Sequence, residues 1–133
     1  MSRQRDTTRF PLLYNDVAWI CDECGEPIAD DGGWLTVDVR AAIARSRKLD
    51  DFRPSAATLD DIVTLGQAAP WSALHAACDP GDMGGYWIAI DRLRTAAQIL
   101  DWSAHLAGKR WASGTDWWRV VREVALRQLD VNA

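Results

Sequence analysis

The chain has 133 residues, 48% hydrophobic and 26% charged, enough for one domain with a genuine core. That composition excludes a disordered tail, a collagen-like repeat and a fibrous chain. Acidic residues outnumber basic ones 19 to 15, for a formal net charge of −4. No global field therefore draws the protein to nucleic acid or to an anionic membrane, and any such contact has to be local.

The first residues, Met1 to Arg9, are polar and basic and lack the apolar stretch of a secretory signal. No apolar run approaches the roughly 20 residues that cross a bilayer. The three Cys cannot all pair within one chain, which argues against a disulfide framework. The expectation is a cytoplasmic protein with reduced thiols and no membrane partner. Charge falls in blocks: residues 15–39 hold seven acids and no base, and 54–91 hold five acids and no base. Residues 40–53 and 92–133 hold most of the bases.

Trp19-Ile20-Cys21 leads into a tight Cys-Asp-Glu-Cys-Gly turn. Glu26 to Ala29 and Trp34 to Val39 read as two strands joined by Asp30-Asp31-Gly32-Gly33, a β-hairpin. Arg40 to Leu49 reads as a helix broken by Arg53-Pro54-Ser55. Thr58, with Asp60 and Asp61 behind it, caps a further helix expected to run to about Ala69 and end at Pro70. Both Asp pairs thus have turn or cap roles that need no metal. Asp79 to Gly85 reads as a loop, and the apolar run Tyr86 to Ile90 is too short to classify.

From Asp91 the helical pattern is the clearest in the chain. Leu93, Ala97, Leu100, Ala104 and Ala107 form one stripe, expected to be buried against a last helix. Gly108 ends that helix, with Lys109 and Arg110 at its negative end. Thr115 and Asp116 open the last helix, whose Val120, Val121 and Val124 face the core.

The chemistry lies in two spaced pairs. Cys21-x2-Cys24 and His75-x2-Cys78 use every Cys and one of the two His. Zn2+ takes four tetrahedral ligands, and a two-residue gap lets both side chains of a pair reach one ion. Gly25 permits the left-handed backbone such a knuckle needs. Closing a 50-residue rather than a 15-residue loop costs only about 1 kcal/mol more, against roughly 10–16 kcal/mol from structural zinc. The expected cofactor is one structural Zn2+ on Cys21, Cys24, His75 and Cys78. A catalytic zinc would need an open position. A thioredoxin-like redox pair at Cys21 and Cys24 would need a βαβ pattern and would leave the second pair unexplained. A deaminase, a P-loop and a nucleophile elbow lack their motifs. His105, inside the apolar helix, reads as structural.

Cys-x2-Cys-Gly, a hairpin with a Gly-rich turn, then Trp71 and His-x2-Cys resembles a treble-clef zinc finger. Glu26-Pro27-Ile28 and Trp71 add a similarity to LIM domains and to the poly(ADP-ribose) polymerase-type finger. The resemblance covers residues 19–80 and implies a knuckle for the first pair and a helix start for the second. Such fingers bind DNA ends, RNA or proteins. The fold class is therefore α+β: a single domain over 1–133, with a zinc-bound, treble-clef-like hairpin/helix module at 19–80 and a C-terminal helical pair at 86–129.

Lys109, Arg110, Trp111, Trp117, Trp118, Arg119 and Arg122 interleave bases with aromatics and form a candidate binding surface. The alternative is core Trp residues beside a solvated charged face. No catalytic constellation is visible, so the leading expectation is a non-enzymatic adaptor that binds another protein through a Trp-rich face. A nucleic-acid binder using Arg40–Arg53 or Lys109–Arg127 comes second. An enzyme with an unrecognised site comes third.

Overall fold

The computed structural model describes residues 17–81 and 85–131. The N-terminal segment Met1–Arg9 and the centre of the expected Asp79–Gly85 loop lie outside them. The described residues form a small α+β structure with a three-stranded antiparallel sheet and four helices. In chain order these are β1 (Gly33–Val37), α1 (Val39–Asp51), α2 (Leu59–Thr64), β2 (Ser72–His75), β3 (Tyr86–Ala89), α3 (Ala96–Ala107) and α4 (Trp117–Val131).

The strand order is β2-β1-β3. β1 pairs with β2 from Gly33↔His75 to Thr36↔Ser72 and with β3 from Trp34↔Ala89 to Val37↔Tyr86. The hairpin expected between 26–29 and 34–39 is therefore replaced. Ile20 and Pro27 form an isolated bridge across the knuckle, and β1 takes its partners from about 40 and 50 residues downstream. Gly33, Leu35 and Val37 form one buried face of β1, and strands on both sides satisfy its backbone groups. β3 joins the sheet, although the sequence grouped it with the C-terminal helices.

Asp38 caps α1, its Oδ1 accepting from the N–H of Arg40 at 3.0 Å and of Ala41 at 3.2 Å. Ala42 and Ser46 form its buried face, against a short 3-10 segment, Arg110–Gly114. A Cβ on Gly114 would strike the Ala42 carbonyl oxygen, so this crossing requires glycine. Ser46 Oγ donates to the Arg110 carbonyl at 3.1 Å across the same crossing. Beside it, Ala69 N–H donates to Gly114 O (2.8 Å), Asp116 N–H to Ala69 O (3.1 Å), and Trp71 N–H to Asp116 Oδ1 (2.8 Å).

The Thr58–Asp61 capping box forms as expected, but α2 stops at Thr64 rather than near Ala69. Gly66 takes a left-handed φ of 68° just beyond it, a C-terminal stop that lies ahead of Pro70. α2 buries none of its residues.

The stripe predicted for α3 is out of phase. Leu93 is fully buried, but it follows a 3-10 turn (Ile90–Arg92) and precedes the helix. Helical counting from Leu93 therefore fails: Ala97, Leu100, Ala104 and Ala107 are exposed, Leu100 by 68%. The true start is a capping box of Thr95 and Gln98, and the buried face is Ile99, Ser103 and Leu106. The Ala residues do not provide a close approach to α4. Contact comes instead through the buried Trp117, whose indole N–H donates to Ser103 Oγ at 2.9 Å. Val120 and Val124 are buried as expected, and Val121 packs partly against the core.

The Trp-rich composition becomes an aromatic cluster. Trp71 lies 5.3 Å from Trp117, 6.4 Å from Trp111 and 6.2 Å from Tyr86, which reaches Trp102 at 6.5 Å. Truncating Leu106 to Ala should cost about 2–5 kcal/mol. Leu100→Ala should stay within about 0.5 kcal/mol. Urea denaturation of the two variants checks both; the reverse ranking would restore the stripe read from the sequence.

Candidate metal centre

Two features of the local sequence build the first half of the site. Gly25 adopts φ 77°, and its N–H donates to Cys21 O at 2.9 Å, folding Cys21-Asp22-Glu23-Cys24 into a turn. Cys21 N–H donates to Glu26 O, and Ile28 N–H to Trp19 O, both at 2.9 Å, which closes the knuckle. The second half begins where β2 ends. His75 is its last residue, and a 3-10 turn over Ala76–Cys78 brings Cys78 back beside it. Ala76 N–H donates to Gly32 O at 2.9 Å, fixing that turn against the start of β1.

Asp22 joins the two halves. Its N–H donates to Ala73 O and its Oδ2 accepts from Ala73 N–H, each at 2.8 Å. As a result one ligand atom from each of Cys21, Cys24, His75 and Cys78 lies within 4.8 Å of the others. A tetrahedron with metal–sulfur bonds of about 2.3 Å spaces its sulfurs about 3.8 Å apart. The group is compatible with a single zinc ion.

The His75 ring is oriented for this role. Its Nε2 lies 2.9 Å from Pro27 O, an acceptor only, so Nε2 carries the proton. Nδ1 is then free to ligate, and it faces Cys24 Sγ at 3.3 Å. The Pro27 carbonyl also raises the His75 pKa, with Cys21 next in effect. Burial alone would raise Cys21, but the backbone amides of Cys24, His75 and Glu23 outweigh it and hold the thiol at about 6. Burial, then the neighbouring Cys21 and Cys24 sulfurs, pushes Cys78 up to about 11.

Of the candidate binding residues, Lys109, Arg110, Trp117 and Trp118 share the lining of one cavity, whereas the remaining three lie outside that lining. Trp117 is buried and Trp111 half-buried, both in the aromatic cluster. Arg119 is held by Asp116 at 2.7 Å and Glu123 at 2.9 Å. Lys109 Nζ sits 5.3 Å from the Tyr86 ring centre. Arg110, Trp118 and Arg122 are exposed. His105 packs edge-on against Trp102 at 5.1 Å, away from the sulfur cluster. The sequence missed two residues that position the site, Asp22 and Pro27. Their role depends on pairing across about 50 residues, which no local pattern reports.

Among the described residues no helix is long and apolar enough to cross a membrane. Comparisons with family models, characterised proteins and solved structures give no significant match.

Metal uptake should depend on pH in two stages. Near neutral pH Cys21 is already largely thiolate, whereas Cys78 must surrender a proton to bind. Affinity should therefore rise with pH above neutrality and fall more steeply as pH drops through about 6, where Cys21 also protonates. Titration with a chromophoric chelator across that range reads both limbs. Separately, Asp22→Ala should cost about 1–3 kcal/mol by stranding the Ala73 N–H, and Asp22→Asn should recover most of it.

Proposed function

We propose that the Cys21-Cys24-His75-Cys78 group holds one structural Zn2+ and that the protein is a non-catalytic module for binding another protein. The convergence of four soft, deprotonatable ligands on one point carries this reading. Three thiolates and an imidazole suit zinc, and four protein ligands leave no coordination position for a reacting water. The metal would fix the knuckle to β2, and with it the sheet. A metal so enclosed would serve the fold, with no turnover at the ion.

The finer family assignment is to a treble-clef-like finger. The knuckle and the two ligand pairs support it. The second pair departs from that family because it sits on a strand end and a 3-10 turn rather than at the start of an α-helix. The nucleic-acid reading has weaker support, since two of its aromatics belong to the core and Arg119 is neutralised.

Metal analysis of reduced, carefully purified protein should give one zinc per chain. Cys24→Ser or Cys78→Ser should release it and unfold the knuckle–sheet region. Wild-type thermal stability in either variant would refute a structural metal. Labelled DNA and RNA titrated at two salt concentrations should show no specific binding. Tight binding with a steep salt slope would replace the protein-binding reading by the nucleic-acid one.

A further inference from the structure

The binding module proposed above leaves open which face binds and what it recognises. Side chains alternate across a strand, so the register places Trp34 and Thr36 of β1, Ser72 and Leu74 of β2, and Trp87 and Ala89 of β3 on the face opposite the core. Trp87 is 59% exposed and the other five are half-buried, Leu74 packing partly against the core. Trp34 and Trp87 pack against each other with ring centres 5.5 Å apart. Asp79 Oδ2 accepts from the Trp34 indole N–H at 2.6 Å and fixes that ring. The result is an ordered, outward-facing aromatic pair with a carboxylate beside it.

Among the described residues no further strand pairs with the outer edge of β3, next to this pair. Ala73 directs its N–H and C=O away from β1, towards Asp22. Leu35, opposite Ala73, therefore directs its own backbone groups to β3 and Ile88. By the same alternation Trp87 and Ala89 point their N–H and C=O off the sheet. The Ala89 carbonyl turns into the 3-10 segment Ile90–Arg92, which leaves the N–H and C=O of Trp87 and the N–H of Ala89 along the edge, without a hydrogen-bond partner among the described residues. A docking edge thus lies beside a docking face.

Charge says what fits there. All three strands, the knuckle and both ligand pairs come from residues 15–39 and 54–91, which hold no Lys or Arg, and the Asp79 carboxylate sits beside the aromatic pair. Beyond β3, Arg92 is exposed, but Arg94 is committed to Asp30 (2.6 Å), Ile28 O (2.6 Å) and Val17 O (2.9 Å). From this we propose that an extended segment of a partner protein, with Lys or Arg at alternate positions, adds to β3 as a fourth strand and lays its cationic side chains over Trp87 and Trp34. Main-chain hydrogen bonds supply the docking, and the aromatic faces and the Asp79 carboxylate select the charge. This rests on the protein-binding reading and names its partner's chemistry.

The probe is a short fluorescent peptide alternating Lys with Thr, titrated into zinc-loaded protein beside a Glu/Thr counterpart. The Lys/Thr peptide should bind and the Glu/Thr peptide should not. Trp87→Ala, with zinc content unchanged, should weaken binding about tenfold or more, and Trp87→Phe should restore part of it. N-methylating one alternate set of peptide amides should abolish binding, while methylating the other set should not. Several results would overturn the proposal: equal binding of both peptides, no binding by folded zinc-loaded protein, an unchanged Trp87→Ala affinity, or indifference to methylation. So would self-association that buries Trp87, because the occupant would then be a second copy. Loss of zinc, or nucleic-acid binding, marks failure of the broader reading instead, and both are measured separately.

Discussion

Two ligand pairs separated by 50 residues have to meet at one point, and most of the architecture follows from that closure. The knuckle approaches β2 through Asp22, whose backbone and carboxylate both engage Ala73. His75 reaches back through Nε2 to the Pro27 carbonyl, so the ring is oriented by the segment it has to join. β1 lies on the side of β2 away from Asp22, and Gly33 allows its close approach. A Cβ there would strike the Leu74 carbonyl oxygen. Metal affinity, ring orientation and sheet register are thus one geometric condition, and a change in any of them displaces the other two.

A second seam attaches the helices to that unit. Residues 69–71 run beside 114–116, and α1 crosses the same segment on Ala42 and Ser46, where only small side chains fit. The long insert between the ligand pairs is therefore divided. α1 is part of the packed structure, while α2 buries none of its residues and is tied to α1 through the Leu65 carbonyl, which accepts from Arg45. This division explains how a chain can carry so long an excursion between two halves of a metal site. The excursion is anchored at both ends and is not required to span an empty loop.

What the sequence revealed was whatever depends on neighbours along the chain. Ligand spacing, the Thr58 cap and the buried valines of α4 are local, and they were legible. The phase of α3 was not, because Leu93 is buried without being helical, and periodicity cannot distinguish a core residue before a helix from one inside it. The Thr95–Gln98 capping box was the available correction. Strand partners were unreadable for another reason. Trp34-Leu35-Thr36-Val37 announces a strand, but nothing in it says whether the partner is 26–29, 72–75 or 86–89. The tryptophans divide in the same way, since Trp117 and Trp118 are adjacent in sequence yet one is core and the other solvent-facing.

The outer edge of β2 differs from that of β3. Asp22 occupies the backbone groups of Ala73, and the Asp116 carboxylate occupies the N–H of Trp71. An acidic residue at each position keeps a stray strand from templating on this edge, which guards against amyloid-like growth. One of the two guards, however, belongs to the knuckle. If the ion were lost and the knuckle peeled away, Ala73 would be bared between Trp71 and His75 on a β-rich segment. Loss of the ion would then bare a strand edge to aggregation, with the Asp116 carboxylate at Trp71 the one guard left in place.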